Sequence, residues 1–208
     1  MNLLESLTWR YATKKFSPRK VDAEKVNTIV EAIALSASSA GLQPYRLFVI
    51  ENPALRQRLQ QHSFNQQVAA CSHLLVFAAL EILTVAHIER YLAQVAAQRN
   101  TPIATLDGYK AALINGLLSR SEEMNFHWAT NQAYIGLGTA LIAAAELRVD
   151  TTPMEGFDAA QFDALLQLKE KGLRSVVLLA LGYRDEAQDP YASAVKVRLP
   201  RQEFVTEL

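Results

Sequence analysis

A chain of 208 residues that is 50% hydrophobic and 20% charged is long enough to bury a sizeable core, which excludes a disordered or low-complexity polypeptide. Lys plus Arg and Asp plus Glu each total 21, so the formal net charge is zero and no overall field draws the chain to nucleic acid or to an anionic membrane. A small molecule is the default partner.

The opening stretch MNLLESLTWRYATKKF carries Glu5 and lacks an apolar run of signal-peptide length. It does not read as a secretory leader, and a cytoplasmic location is expected. A short first helix is expected just before Arg10. Asp22 is the expected N-cap of a second helix, in which Val26, Val30, Ile33, Ala34 and Ala37 recur at one-face spacing. After Pro44 the run Leu47-Phe48-Val49-Ile50 reads as a buried strand, and His73–Leu80 reads likewise. Leu55 and Leu59 mark a short helix between these strands, and Val85, Ile88, Leu92 and Val95 an amphipathic helix after them. A helix over 106–118 is expected next.

A long helix over 123–147 follows, its apolar residues beginning on one stripe and ending all round, as suits a helix whose second half is the centre of the molecule. Its apolar part, 133–145, is shorter than the roughly 20 residues of a membrane span. Gly136, Gly138, Ala140, Ala143, Ala144 and Ala145 suit close backbone approach, in the core or across a subunit interface. A helix near 159–168 is expected to stop at Gly172, with Lys169 and Lys171 at its C-terminus, and 175–181 is the third strand candidate. The tail 203–208 has strand character and no local partner, so it can complete a sheet elsewhere, including in another copy of the chain. The order points to an α+β sheet covered by helices, and with no linker or repeat, 1–208 is expected to form a single domain.

Several signals point away from other chemistries. The sole cysteine, Cys71, precludes an internal disulfide and reads as a buried structural thiol. His62, His73, His87 and His127 show no metal-ligand spacing, so no metal is expected. The GLG within 134–140 lacks the third glycine of a dinucleotide loop and lies in an expected helix. Ser38 and Ser39 lack a G-x-S-x-G frame, which argues against nucleophilic catalysis. Trp128 and Tyr134 read as core aromatics.

Four polar clusters remain: Arg10-Tyr11-Ala12-Thr13-Lys14, Ser38-Ser39-Ala40-Gly41-Leu42-Gln43-Pro44, Pro153-Met154-Glu155-Gly156-Phe157, and Lys196-Val197-Arg198-Leu199-Pro200. Singly, each reads as solvated surface. Together, their cations would match a phosphate dianion, because a guanidinium fork fits phosphate oxygens.

RYATKKF, SASSAGLQPY, PMEGFD and KVRLP, supported by NFHWATNQAYIGLGTALIAAAELRVDTTPMEGFD and LKEKG, are collinear over nearly the whole chain. In that order they resemble the nitroreductase family of FMN-dependent oxidoreductases, near the bacterial oxygen-insensitive NAD(P)H nitroreductases and dihydropteridine reductases. The resemblance implies a central, mostly antiparallel sheet covered by helices, a long buried central helix and a C-terminal strand exchanged with a partner subunit. It implies a homodimer with FMN at the interface and NAD(P)H as electron donor to small electron-poor acceptors. No side chain is expected to be catalytic, since flavin N5 carries the chemistry.

By the same resemblance, Arg10, Lys196 and Arg198 grip the FMN phosphate, alongside Tyr11 and Ala12, and Lys14 reaches the N1 side of the ring. Ala12 stands where many members carry a phosphate-binding serine. Ser38, Ser39 and Gly41 match a loop that reaches the partner's flavin, with Ala40 toward the acceptor pocket. Pro153, Met154, Glu155 and Gly156 match a loop along the ring, in which Glu155 matters for its backbone more than for its carboxylate. Asn65 and Gln67 fall beside the ring, and Phe64 suits either a wall over the flavin or ordinary packing. The rival reading is a flavin-binding storage or regulatory protein with little NAD(P)H turnover.

Overall fold

The computed structural model describes residues 2–208. Four runs pair antiparallel into one sheet: β1 (Tyr45–Ile50), β2 (His73–Leu80), β3 (Asp150–Met154) and β4 (Leu173–Gly182), in the order β1-β2-β4-β3. Around it lie α1 (Leu3–Trp9), α2 (Ala23–Ala34), α3 (Pro53–Gln60), α4 (Gln67–Ala70), α5 (Val85–Gln98), α6 (Asp107–Leu117), α7 (Glu122–Glu146), α8 (Ala159–Leu166) and α9 (Arg201–Phe204).

Strand β2 is apolar on both faces because it is covered on both, and every one of its residues is buried. Alternation sends Leu75 and Phe77 to one side, against Ile29 and Ile33 of α2 and Ala133, Leu137 and Ala140 of α7. Leu74 and Val76 go to the other side, against Leu59, Val68 and Phe162. Each fully buried Leu or Phe there contributes about 1.5–3 kcal/mol relative to exposure. Small residues let α7 lie close to the sheet: a Cβ on Gly136 would stand 2.5 Å from the Tyr45 hydroxyl. Ser121 caps α7, its side chain accepting from Met124 N at 3.2 Å.

The expected architecture, the central helix and the antiparallel sheet are present. Boundaries differ in three places. Pro153 and Met154 belong to β3, so the loop expected over 153–156 begins at Glu155. Helix α8 ends at Gln167, which turns left-handed at φ 54; Gly172, at φ 65, closes the following turn Lys169–Lys171 instead. Lys171 Nζ still reaches the helix end, donating to the carbonyls of Leu166 and Gln167. The tail expected as a strand over 203–208 pairs with no strand: α9, started behind Pro200 at φ −56, takes in Glu203 and Phe204, and Val205 returns to extended backbone. Among the described residues no helix is long and apolar enough to cross a membrane.

Candidate functional site

The strip 9–16 leaves α1 and runs along the free edge of the sheet. Ala12 bridges to Thr151 in parallel sense, Thr13 N donates to the Thr151 carbonyl at 3.2 Å, and Thr152 Oγ1 donates to the Thr13 carbonyl at 2.5 Å. Phe16 bridges to Arg184 and covers Gly182, where a Cβ would stand 2.5 Å from its ring. The Arg184 guanidinium lies over both Trp9, at 4.4 Å, and Tyr11, at 4.5 Å, and binds the buried Asp150 carboxylate at 2.5 Å. These contacts fix the backbone of residues 10–14.

The other end of the chain is tied to the same strip by Asp189, whose carboxylate accepts from the N–H groups of Lys14 (2.7 Å), Lys15 (3.1 Å) and Tyr191 (2.9 Å). Burial alone would raise the Asp189 carboxyl, but these donors hold it below the usual carboxylate range. The result is a cavity of about 790 Å³ into which Arg10, Tyr11, Ala12 and Lys14 project from one terminus and Lys196 and Arg198 from the other.

Its electrostatics are one-sided. Burial and then the charge of Arg198 lower the pKa of Arg10; burial and then the charges of Arg10 and Arg198 lower that of Lys196. Lys196 Nζ donates to the carbonyls of Leu7 and Arg10, while the buried Arg10 Nε has no hydrogen-bond partner among the described residues. Among the described residues no carboxylate forms an ion pair with Arg10, Lys196 or Arg198. Partly desolvated like charges with no counterion are what an incoming anion relieves.

Asn65, Gln67, Pro153, Met154, Glu155 and Gly156 do not line this cavity, but Gln67 is tied to the strip, its Nε2 donating to the Lys14 carbonyl at 2.7 Å. The Gly156 carbonyl accepts from Ser63 Oγ and Asn65 Nδ2, both at 3.0 Å, and from Phe64 N at 3.3 Å. Asn65 is thus joined to Gly156, and Gln67 to Lys14. Phe64 is 95% exposed, which excludes ordinary packing within the chain. Tyr134 is more than a core aromatic: its hydroxyl donates to the Glu155 carboxylate at 2.5 Å, and burial, then that carboxylate, raise its pKa. The Glu155 side chain therefore has its own anchoring role.

The segment Ser38, Ser39, Ala40 and Gly41 does not line the 790 Å³ cavity. It is a strained turn, left-handed at Ala40 (φ 55), Gly41 (φ 72) and Gln43 (φ 42). Buried Gln132 accepts from Ser39 N at 2.7 Å, Ser38 Oγ accepts from Gln43 N at 3.1 Å, and Tyr109 donates to the Ala40 carbonyl at 3.2 Å.

Residues 7–183 match the model of the nitroreductase family. The chain belongs to that family. The major NAD(P)H-flavin oxidoreductase of Aliivibrio fischeri is 33% identical over 99% of this chain and 98% of its own length. A nitroreductase family protein of Streptococcus pneumoniae superposes with a TM-score of 0.84 at 22% identity, covering both chains fully. A nitroreductase-type protein of Exiguobacterium sibiricum, solved in complex with FMN, gives 0.86 at 19% identity over 100% of this chain and 98% of its own. The last two establish the shared fold.

In this nitroreductase-family chain the sole cysteine, Cys71, is buried, and burial pushes its thiol up to about 11, away from nucleophilic use. Sequence reasoning missed Asp150, Arg184, Asp189, Tyr134 and Gln132. Their signal lies in tertiary pairing: Asp150 sits opposite Gly182, two places before Arg184, a proximity that spacing along the chain does not reveal.

Proposed function

We propose that this chain is an NAD(P)H-dependent flavin oxidoreductase, a single domain over 1–208 that holds FMN non-covalently in the 790 Å³ cavity and works in the cytoplasm. The carrying observation is the uncompensated cation cluster of Arg10, Lys196 and Arg198. The residues fit the cofactor. The volume lies within the roughly 300–1,000 Å³ of ligand cavities, and the orphaned Arg10 Nε is a donor awaiting an acceptor. The names of the Aliivibrio relative and the FMN-bound structural neighbour support the same reading.

In this reading Arg10, Lys196 and Arg198 clasp the phosphate, with Tyr11 and Ala12 forming the adjoining wall. Lys14 offers a fourth cation, a charge of the sign that favours electron uptake by a bound ring. Asn65, Gln67, Pro153, Met154, Glu155 and Gly156 sit beyond that lining, toward the ring in this reading, tied by Gln67 to the Lys14 carbonyl and by Tyr134 to Glu155. When bound, FMN would supply the redox chemistry that carries hydride from NAD(P)H to a small electron-poor acceptor such as a nitroaromatic, quinone or pteridine, in ping-pong order. No protein side chain acts as general acid or base.

The chain works as a homodimer. Ser38, Ser39, Ala40 and Gly41 lie outside their own cavity and serve the partner's, and the tail exposes apolar Val195, Val197, Leu199 and Phe204 for a partner to cover. Phe64, fully offered to solvent, walls the acceptor pocket. Anaerobic stopped-flow mixing of the purified protein with NADPH or NADH tests the reductase reading. Loss of the flavin's visible absorbance at about 1–1000 per second is expected; flavin that stays oxidised would leave a storage or regulatory protein.

A further inference from the structure

The turn at residues 41–43 and one face of α5 enclose a second cleft, of about 360 Å³. Arg90, Gln94 and Gln98 recur every four residues on that face, Arg99 caps the helix, and Arg46 enters from β1. Among the described residues none of Arg46, Arg90 and Arg99 forms an ion pair, and Glu89, beside Arg90, is taken by Lys110 at 2.6 Å. The cations act together on their surroundings: burial lowers the pKa of His87, and Arg90 and Arg46 lower it further. The rim is held by the left-handed turn and by Tyr91, whose hydroxyl stands 2.5 Å from where a Cβ on Gly41 would be. A chain of zero net charge has concentrated three guanidinium groups and three glutamine amides around one cleft.

We propose that this cleft binds a phosphate dianion, gripped chiefly by Arg90 and Arg99, which line it. Guanidinium forks match phosphate oxygens in pairs, and the flanking glutamine amides donate to those that remain. The volume is near the lower end for ligand cavities, roughly 300 Å³, enough for a phosphate and an attached sugar. Two sources carry that group: inorganic phosphate, and the 2′-phosphate that separates NADPH from NADH. Assigning the second rests on the proposed function; the phosphate site itself does not.

The protein as purified is titrated calorimetrically with inorganic phosphate, adenosine 2′-monophosphate and adenosine at low salt. Both phosphate compounds are expected to bind and adenosine is not. The doubly substituted Arg90→Gln, Arg99→Gln protein should bind them at least about tenfold more weakly, and added salt should weaken binding in the unsubstituted chain. Both residues are exposed, so circular dichroism should show an unchanged fold. Arg198→Ala, in the other cavity, should retain adenosine 2′-monophosphate binding. A rise of about tenfold in the ratio of the NADPH to the NADH KM in the double variant assigns the site to the donor. An unchanged ratio with phosphate binding lost supports the site and assigns it to free phosphate. Failure of both phosphate compounds to bind, or equal binding by the double variant, overturns the proposal. The titration reads binding without turnover, so its outcome is separate from that of the reductase test.

Discussion

Lys196 shows how one residue couples the two ends of the chain. Its ammonium is spent on the carbonyls of Leu7 and Arg10, yet burial and the charges of Arg10 and Arg198 hold its pKa below 10.5. A lowered folded-state pKa means the folded chain sheds this proton before the unfolded chain does. The cost of keeping the cation is therefore present below the folded pKa and is relieved as pH rises from that value toward 10.5. A bound phosphate favours the protonated form, so FMN affinity should fall as pH climbs past the lowered pKa. Lys196→Arg keeps its charge throughout this range and should flatten that alkaline loss. Fluorescence titrations from neutrality to about pH 10, the ordinary lysine range, measure both, and equal affinity at every pH in the unsubstituted protein would count against the phosphate role. Residue types were readable here, since Arg10, Lys196 and Arg198 announce their charge in the sequence. The Tyr134 to Glu155 and Gln132 to Ser39 bonds were not, because each joins a helix side chain to a loop at a distance only the folded register sets.

At the scale of elements, β3 was the strand that sequence patterning passed over. Asp150, Thr151, Thr152 and Pro153 lack the apolar alternation of a strand, and proline cannot donate to a ladder on both sides. The sheet order explains why it is tolerated: β3 is an edge, paired to β4 alone, with the strip 9–16 joined to it by a single bridge. The helices were legible because their stripes face one packed sheet, as in α2 and α7, whereas the end of α8 depended on a left-handed Gln167 that no glycine signalled. The edge strand organises the cavity through Asp150, which is 4% exposed and holds both the Arg184 guanidinium and its backbone N–H. Asp150→Ala leaves a buried cation without its partner and should cost about 3–5 kcal/mol. Because Arg184 packs on Trp9 and Tyr11, the same change should also weaken FMN retention. Denaturant unfolding checks the first effect and flavin release by ultrafiltration the second; an unaltered midpoint would refute the anchoring role.

For the molecule as a whole, the sheet and central helix form a scaffold whose two chain termini meet over one cavity. The resemblance of separated motifs pointed to that meeting, and the tail beyond it exposes apolar side chains. Within that tail Phe204 is 76% exposed, an apolar surface that a second copy would cover in the proposed homodimer. If the proposed homodimer forms, removing residues 201–208 should shift the protein from dimer toward monomer in analytical ultracentrifugation and lower its flavin content together. A truncated chain that stays dimeric would show that other surfaces suffice.

The most direct test concerns the cations themselves. Arg198→Ala removes an exposed guanidinium that lines the cavity and, among the described residues, belongs to no ion pair. It should leave the fold intact while weakening FMN binding about 10- to 100-fold, the scale of one charge-assisted hydrogen bond of about 1.5–3 kcal/mol. FMN fluorescence quenching on titration into cofactor-free protein measures this. An Arg198→Ala variant that binds FMN as tightly as the unsubstituted chain would contradict the account.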